Sequence, residues 1–508
     1  MALSCVVAVL LASGSAGAVV KITPGGPDSG RSTVELSGEY RLQGSLLSEL
    51  AVDAEGTFLG QRAYLDQRLR FGIGLVGDNY RFGVEWDLFS GQIAGDLWQI
   101  PGSIDDRNRQ KYGALSADGF VPRLAAARFQ GPWVTVEAGL ITSHWGLGML
   151  SNDGAHDPWF GRSDFGDRVL RVRGTFKPLY GRKQPHPQRD RLLLTVGADW
   201  VVDDEMASFS RQQLAFQALA SLLYADPDGR RLGIYSVYRN QRELLEDRQT
   251  HAVVLDVYGD LPFPIWDSGW SGRVALEAAT ILGSTNRSLS YNEREALVVA
   301  QGGITAQVSV RGPGDKLQFH LRGGWASGDQ SPDDEVVQGF LFDRDFDVGM
   351  VLFDQLTGGV AAASHVLLSD PDNGGAPPDG VDALVTEGAF GSGLFLQPIV
   401  QLRPLSWLEA RIGLAVAVSS APLRHPFYSF RAGGTVRNHH NEEPAGALLG
   451  SELNWALQFG GALPFGGDMA PRLEALLQGG HLFVGDALAH SSGSDPIHHL
   501  MGTARLRW

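Results

Sequence analysis

The chain has 508 residues, 65 of them glycine, with 43% hydrophobic residues, 19% charged residues and a net charge of −15. That apolar fraction excludes a disordered chain, and glycine without a Gly-X-Y period excludes collagen. The acidic balance argues against nucleic acid as a partner, because phosphate contacts need a basic face.

The N-terminus opens on an apolar run, Leu3 to Ala12, followed by the small-x-small pattern Ala16-Gly17-Ala18. This predicts a signal peptide over residues 1–18 and a short N-terminal periplasmic segment over 19–31. The only cysteine, Cys5, falls inside the signal, which rules out a disulfide framework, a cysteine zinc site and a thiol nucleophile beyond it. No later apolar run reaches about 18 residues, so no transmembrane helix is predicted.

From residue 32 onward the chain alternates with a period of two. Val34, Leu36, Gly38, Tyr40 and Leu42 interleave with Glu35, Ser37, Glu39, Arg41 and Gln43. Leu69, Phe71, Ile73 and Leu75 oppose Arg68, Arg70, Gly72 and Gly74, and Phe82, Val84, Trp86 and Leu88 oppose Arg81, Gly83, Glu85 and Asp87. Near the end, Leu500, Gly502, Ala504, Leu506 and Trp508 oppose Met501, Thr503, Arg505 and Arg507. One greasy face and one charged face suit either a soluble sandwich or a barrel in lipid.

The segments decide between them. Strands are predicted at about 32–44, 62–76, 80–89, 121–130, 133–142, 167–177, 189–201, 211–224 and 230–243. Nine more follow at about 249–260, 270–283, 298–310, 316–326, 391–403, 406–418, 448–462, 471–483 and 497–508. Most are longer than a soluble strand of about 5–6 residues and match a tilted membrane strand of about 9–11. Connections alternate in length: about 45 residues in total on one side, about 206 on the other, as in outer-membrane barrels. Outward aromatics cluster at strand ends, with Phe82, Phe176, Tyr224, Phe459 and Trp508 beside short turns and Tyr40, Trp86, Trp200 and Trp325 beside long loops. Two such belts are expected where lipid meets water.

In this pattern the chain resembles bacterial outer-membrane β-barrels of the large porin-like kind. The resemblance implies a single antiparallel transmembrane β-barrel over 32–508, with about 18 strands (16–18), short periplasmic turns and long extracellular loops. It implies outer-membrane lipid and lipopolysaccharide as surroundings. It also implies the barrel-assembly machinery as a partner, with Leu506 and Trp508 as the C-terminal assembly signal. Gly139-Leu140-Ile141-Thr142-Ser143-His144-Trp145-Gly146-Leu147-Gly148 and Trp325-Ala326-Ser327-Gly328-Asp329 resemble polysaccharide-related barrels of the alginate-export and capsule-assembly types.

Motifs for chemistry are few. Gly72-Ile73-Gly74-Leu75-Val76-Gly77 has dinucleotide spacing but runs along a strand into a turn, not into a helix. No nucleophile elbow, zincin motif or P-loop occurs, so no catalytic residue, enzyme activity or cofactor is expected. Asp343, Asp345, Asp347 and Asp354 match a calcium loop only in part, with Val348 where glycine belongs. Adjacent strand residues point apart, so His498 and His499 cannot readily share a metal. The expectation is therefore no metal site.

Function is expected in the lumen. Inward positions carry about fifteen basic residues against about twelve acidic ones, a mixed wall that sorts solutes by field. The candidate pore-lining residues are Arg68, Arg70, Glu85, Arg171, Arg173, Arg322, Arg411, Glu452, Arg505 and Arg507. The same charges read more simply as cross-strand pairs that rigidify the wall. The connection over about 327–390 is the longest, and loops beyond about 12–15 residues are usually functional or disordered. Its apolar stretches Gly339–Phe342 and Met350–Phe353 need a surface to cover, and Val360 through Leu368 suits a short helix. The loop is thus expected either to cap the extracellular mouth, which would bury the same apolar residues, or to fold inward as a constriction. Asp333, Asp334, Glu335, Asp343, Asp345 and Asp347 would then face arginines such as Arg322 and Arg411. The leading expectation is a porin-like channel for passive passage of small hydrophilic solutes, with anionic or saccharide-like ones as candidates. The alternative is a non-conducting barrel acting through its surface loops as receptor, adhesin or envelope-assembly component.

Overall fold

A computed structural model of the chain describes residues 20–22, 32–60, 62–100, 120–163, 166–180, 190–245, 247–265, 269–287, 296–331, 334–373, 377, 380–381, 385–463 and 470–508. The signal peptide expected over 1–18 lies outside them, as does Asp333.

Eighteen long strands make the wall. The first nine are β1 (Thr33–Leu47), β2 (Ala63–Val76), β3 (Tyr80–Gly95), β4 (Val121–Gln130), β5 (Val134–Thr142), β6 (Arg168–Phe176), β7 (Leu192–Asp203), β8 (Gln213–Ala225) and β9 (Arg231–Glu243). The rest are β10 (Arg248–Ile265), β11 (Trp270–Thr285), β12 (Leu297–Arg311), β13 (Leu317–Ala326), β14 (Gly393–Leu405), β15 (Leu408–Ser419), β16 (Leu448–Ala462), β17 (Arg472–Val484) and β18 (Ile497–Arg507). Each pairs antiparallel with its sequence neighbours. The sheet then closes, because β18 pairs with β17 on one edge and with β1 on the other, Glu39 opposite Arg507 and Leu47 opposite His499. Closure leaves the wall no free edge, which is the condition for strands to sit in lipid.

The predicted strands hold, with two extensions. β3 runs on to Gly95 and β10 to Ile265, past the expected ends near 89 and 260. In β10 the extension carries Pro262 opposite Arg273 and Pro264 opposite Ser271, at the end of the ladder where proline's missing donor costs least. A three-residue strand, Val20–Ile22, lies in the expected N-terminal segment and pairs with Val34–Leu36 of β1. It continues the seam below Trp508, whose backbone exchanges hydrogen bonds of 2.8 and 3.0 Å with Gly38.

The two faces follow the sequence alternation. Outside, Ile73, Phe82, Val136, Val172, Ile234, Leu255, Leu396 and Ile412 are exposed. An apolar exterior is unfavourable in water and favourable in a bilayer. Aromatics ring the short-turn end, where Trp133 stacks on Phe176, Trp270 on Phe319 and Trp407 on Phe459 at centroid distances of 6.1–6.4 Å. Trp200, Trp325 and Tyr40 stand exposed toward the other end.

The buried apolar cluster lies within the barrel. Phe340, Phe342, Phe346, Phe353 and Phe390 come from the long 327–392 connection and meet Phe395 on the inward face of β14. Phe390 sits edge-on to Phe342, Phe353 and Phe395 at 4.9–5.1 Å, the geometry that aromatic quadrupoles favour. The connection also forms α1 (Gly358–Ser369), on the segment read as helical.

Candidate functional site

The inward wall is a set of ion pairs between neighbouring strands. Arg68 donates to Glu39 at 2.8 Å, Arg70 to Asp87 at 2.6 Å, Arg171 to Asp199 at 2.6 Å and Arg173 to Glu137 at 2.6 Å. Glu85 lies 3.8 Å from both Arg70 and Arg123, and Arg411 lies 3.3 Å from Glu409. Across the seam, Arg507 reaches Glu39 at 2.8 Å and Glu474 at 3.2 Å. Register sets Arg70 opposite Asp87, Arg171 opposite Asp199 and Arg173 opposite Glu137, while Arg68 meets Glu39 diagonally and Arg411 meets Glu409 along one strand.

Among the described residues, two loops from the long-loop end enter this wall deeply. The first, 143–167, leaves β5 and crosses the lumen. Trp145 donates to Asp256 of β10 at 3.0 Å, and the Leu147 N–H donates to Glu277 of β11. Gly146 turns here at φ +60°, a conformation that favours glycine, and a Cβ would crowd the Glu277 carboxylate. Further along, Trp159 packs on His320 of β13 at 4.2 Å, and Gly161 and Gln478 of β17 exchange hydrogen bonds of 3.1 and 2.8 Å. Arg162 reaches Asp66 of β2 at 2.8 Å, and Asp157 meets Arg505 of β18 at 2.6 Å and Arg507 at 3.4 Å. Sequence reasoning reads a long connection at about 143–166 but misses its inward course. Trp145, Leu147, Met149, Trp159 and Phe160 were the available signal, too many large apolar residues for a bare surface loop.

The second is the 327–392 connection, and the five acidic candidates described within it separate. Asp334 and Glu335 stay exposed at the rim, beside the short strand Val336–Val337 that pairs parallel with β12. Asp343, Asp345 and Asp347 are buried inside. Asp343 accepts from the Asn152 N–H at 2.7 Å, which ties the two loops together. Arg322 of β13 donates to the Asp347 carbonyl at 3.1 Å and to Gln397 at 2.9 Å. Arg411 meets Glu409 instead of the loop acids that were expected to face it. Glu452 of β16 is fully covered: its carboxylate accepts the N–H groups of Met350, Val351 and Leu352 at 2.6, 3.1 and 2.8 Å. Leu506 sits opposite Tyr40 on the seam, and the Trp508 ring covers Gly38.

Between the tip of the first loop and the closing strands lies a cavity of about 40 Å³, lined by Asp157, Arg411, Gln458, Glu474, Thr503 and Arg505. The tip keeps contact with water: the His156 side chain is 59% exposed and that of Asp157 52%. On the long-loop side, carboxylate oxygens of Asp167, Glu205 and Asp343 lie within 4.8 Å of one another. Burial pushes the Glu205 carboxyl up to about 7, and burial with the neighbouring acids raises Asp343 and Asp167 well above the usual range. His498 and His499 do face opposite ways. His498 pairs with His481 on the outside at 2.9 Å, while His499 is buried 3.3 Å from the Met350 carbonyl.

No family model matches the chain, and neither does any curated protein. Solved structures do. Pseudomonas aeruginosa OccK11 (OpdR) is 13% identical over 94% of this chain and 96% of its own, at a TM-score of 0.47. OccK2 (OpdF) of the same organism is 11% identical over 93% and 97%, at 0.48. A BenF-like porin from Pseudomonas fluorescens Pf-5 is 9% identical over 94% and 98%, also at 0.48. The closed eighteen-stranded wall, apolar outside and charged inside, is itself that of an outer-membrane β-barrel of the large porin-like kind.

Proposed function

We propose that this barrel passes small hydrophilic solutes passively across the outer membrane. The observation that carries the reading is the loop tip at His156 and Asp157, which stays in contact with water inside the wall and faces Arg505 and Arg507. Charged groups at such a passage attract a solute and replace its hydration as it goes by. Anionic and saccharide-like solutes suit this surface best, since guanidinium forks match carboxylates and the flanking acids accept from hydroxyls. Single-channel recording in planar bilayers tests it: discrete openings are expected from the folded barrel, and solutes of the favoured class should interrupt them.

A second reading has its own support. The phenylalanine cluster from the 327–392 connection lies inside the wall, as a plug would. A barrel closed by that plug would act through its outer loops as a receptor, adhesin or assembly component. Complete electrical silence from a heat-modifiable, folded sample would favour this reading over the channel.

A further inference from the structure

The tip of the first inward loop brings together two imidazoles and a carboxylate. His144 lies two residues past the end of β5, and the chain then turns back so that Asp153 and His156 return beside it. The His156 Nδ1 lies 3.1 Å from Asp153 Oδ1, and the His144 Nδ1 lies 3.9 Å from the same oxygen. The two rings stand 4.6 Å apart between centroids, and one ligand atom from each residue lies within 4.8 Å of the others. The hydrogen bond from His156 to Asp153 accounts for two of these residues. His144, held by the Gly146 backbone and the Asn152 side chain, stands at 3.9 Å from that carboxylate, beyond a hydrogen bond.

What the three share is convergence of their ligand atoms, which suits a metal ion. Zinc holds nitrogen and carboxylate oxygen at about 2.0–2.2 Å, which sets neighbouring tetrahedral ligands roughly 3.3 Å apart. The observed separations of 3.1 and 3.9 Å bracket that spacing, so small rotations of exposed rings suffice. The carboxylate is already fixed. Asp153 is 3% exposed, its Oδ1 accepts the Ala155 N–H at 3.0 Å, and its carbonyl accepts from Arg123 at 2.6 Å. Supporting bonds of this kind orient a ligating carboxylate. Imidazole with carboxylate selects borderline transition metals over calcium or magnesium, which want oxygen alone.

We infer that His144, Asp153 and His156 bind one divalent transition-metal ion, of which zinc is the natural probe. Three protein ligands on a tip that faces water leave coordination positions open. On the channel reading proposed above, the ion stands where a passing chelating solute, such as a small carboxylate or amino acid, can reach it.

The test uses the full-length barrel in detergent, titrated calorimetrically with zinc and, in parallel, with cobalt to read its visible ligand-field bands. One tight equivalent is expected, with nitrogen-containing cobalt spectra. His144→Ala and His156→Ala should each weaken it at least about tenfold. A His481→Ala/His498→Ala double variant, which removes the exposed pair on the outer face, should leave it intact. Heat-modifiable migration on gels verifies folding of each variant. Absence of binding in the wild type, or equal binding in a folded His156→Ala variant, overturns the inference. Because binding is read without any current, its failure is distinct from failure of the channel reading, which rests on conductance alone.

Discussion

Asp157, carried into the lumen on the 143–167 loop, lies 2.6 Å from Arg505 on the strand that closes the barrel. The same carboxylate is 3.4 Å from Arg507, while Arg507 also holds Glu39 and Glu474. Arg505 therefore depends on Asp157 more than Arg507 does. Asp157→Asn should free a cationic charge beside the water-exposed tip and move selectivity toward anions. Reversal potentials under a potassium chloride gradient measure this, and an unchanged potential would separate the pair from the ion path.

Glu452 anchors the second loop through three consecutive backbone N–H groups. Each hydrogen bond to a charged acceptor contributes about 1.5–3 kcal/mol, though the three do not add simply. Deleting residues 335–385 with the flanking strands kept should raise single-channel conductance. Glu452→Ala should change it in the same direction by less, because the phenylalanine cluster still holds the loop. Unchanged conductance in both folded variants would show that this loop does not constrict the passage.

The cluster of Asp167, Glu205 and Asp343 makes loop docking depend on pH. Glu205, also close to Asp204 and Arg344, has its carboxyl raised from 4.5 to about 7. A group whose folded pKa is raised contributes stability that is complete below its unfolded value and is lost as pH rises through the folded one. Docking of residues 340–347 should accordingly be tighter at pH 5 than at pH 8. Amide hydrogen exchange, corrected for its intrinsic pH dependence, reads this directly. Glu205→Gln should flatten the difference, and equal protection of the wild type at both pH values would contradict the expectation.

At the seam, a Cβ on residue 38 would collide with the Trp508 ring. Gly38→Val should push the ring off β1 and weaken the last pairing of β18. A cost of about 1–3 kcal/mol, typical of overpacking, should lower the temperature at which the barrel loses heat-resistant gel mobility. Retention of wild-type mobility at every temperature would show the ring to be freely displaceable.

Strand positions were legible because the two faces of a membrane wall meet opposite solvents, so Leu69–Leu75 and Arg68–Gly74 had to alternate. The inward loop over 327–390 was legible for a similar reason, since Phe340, Phe342 and Phe353 needed cover. What alternation could not convey is which inward charges remain available to a solute. Arg171 and Asp199, or Arg70 and Asp87, are partnered only once register is known. Nor could spacing along the chain place Asp157 against Arg505, because that contact joins residues 348 positions apart. His144 and His156 stayed hidden likewise, since the turn between them has no periodic signature.

The last strand grips more than its neighbour. Arg505 and Arg507 hold the tip of one lumen loop, and His499 touches the backbone of the other at Met350. Those contacts all need β18 in its place in the wall. Closing the wall and holding both lumen loops thus draw on the same eleven-residue strand. A chain truncated before Ile497 should therefore lose its lateral seal and one anchor of each lumen loop together.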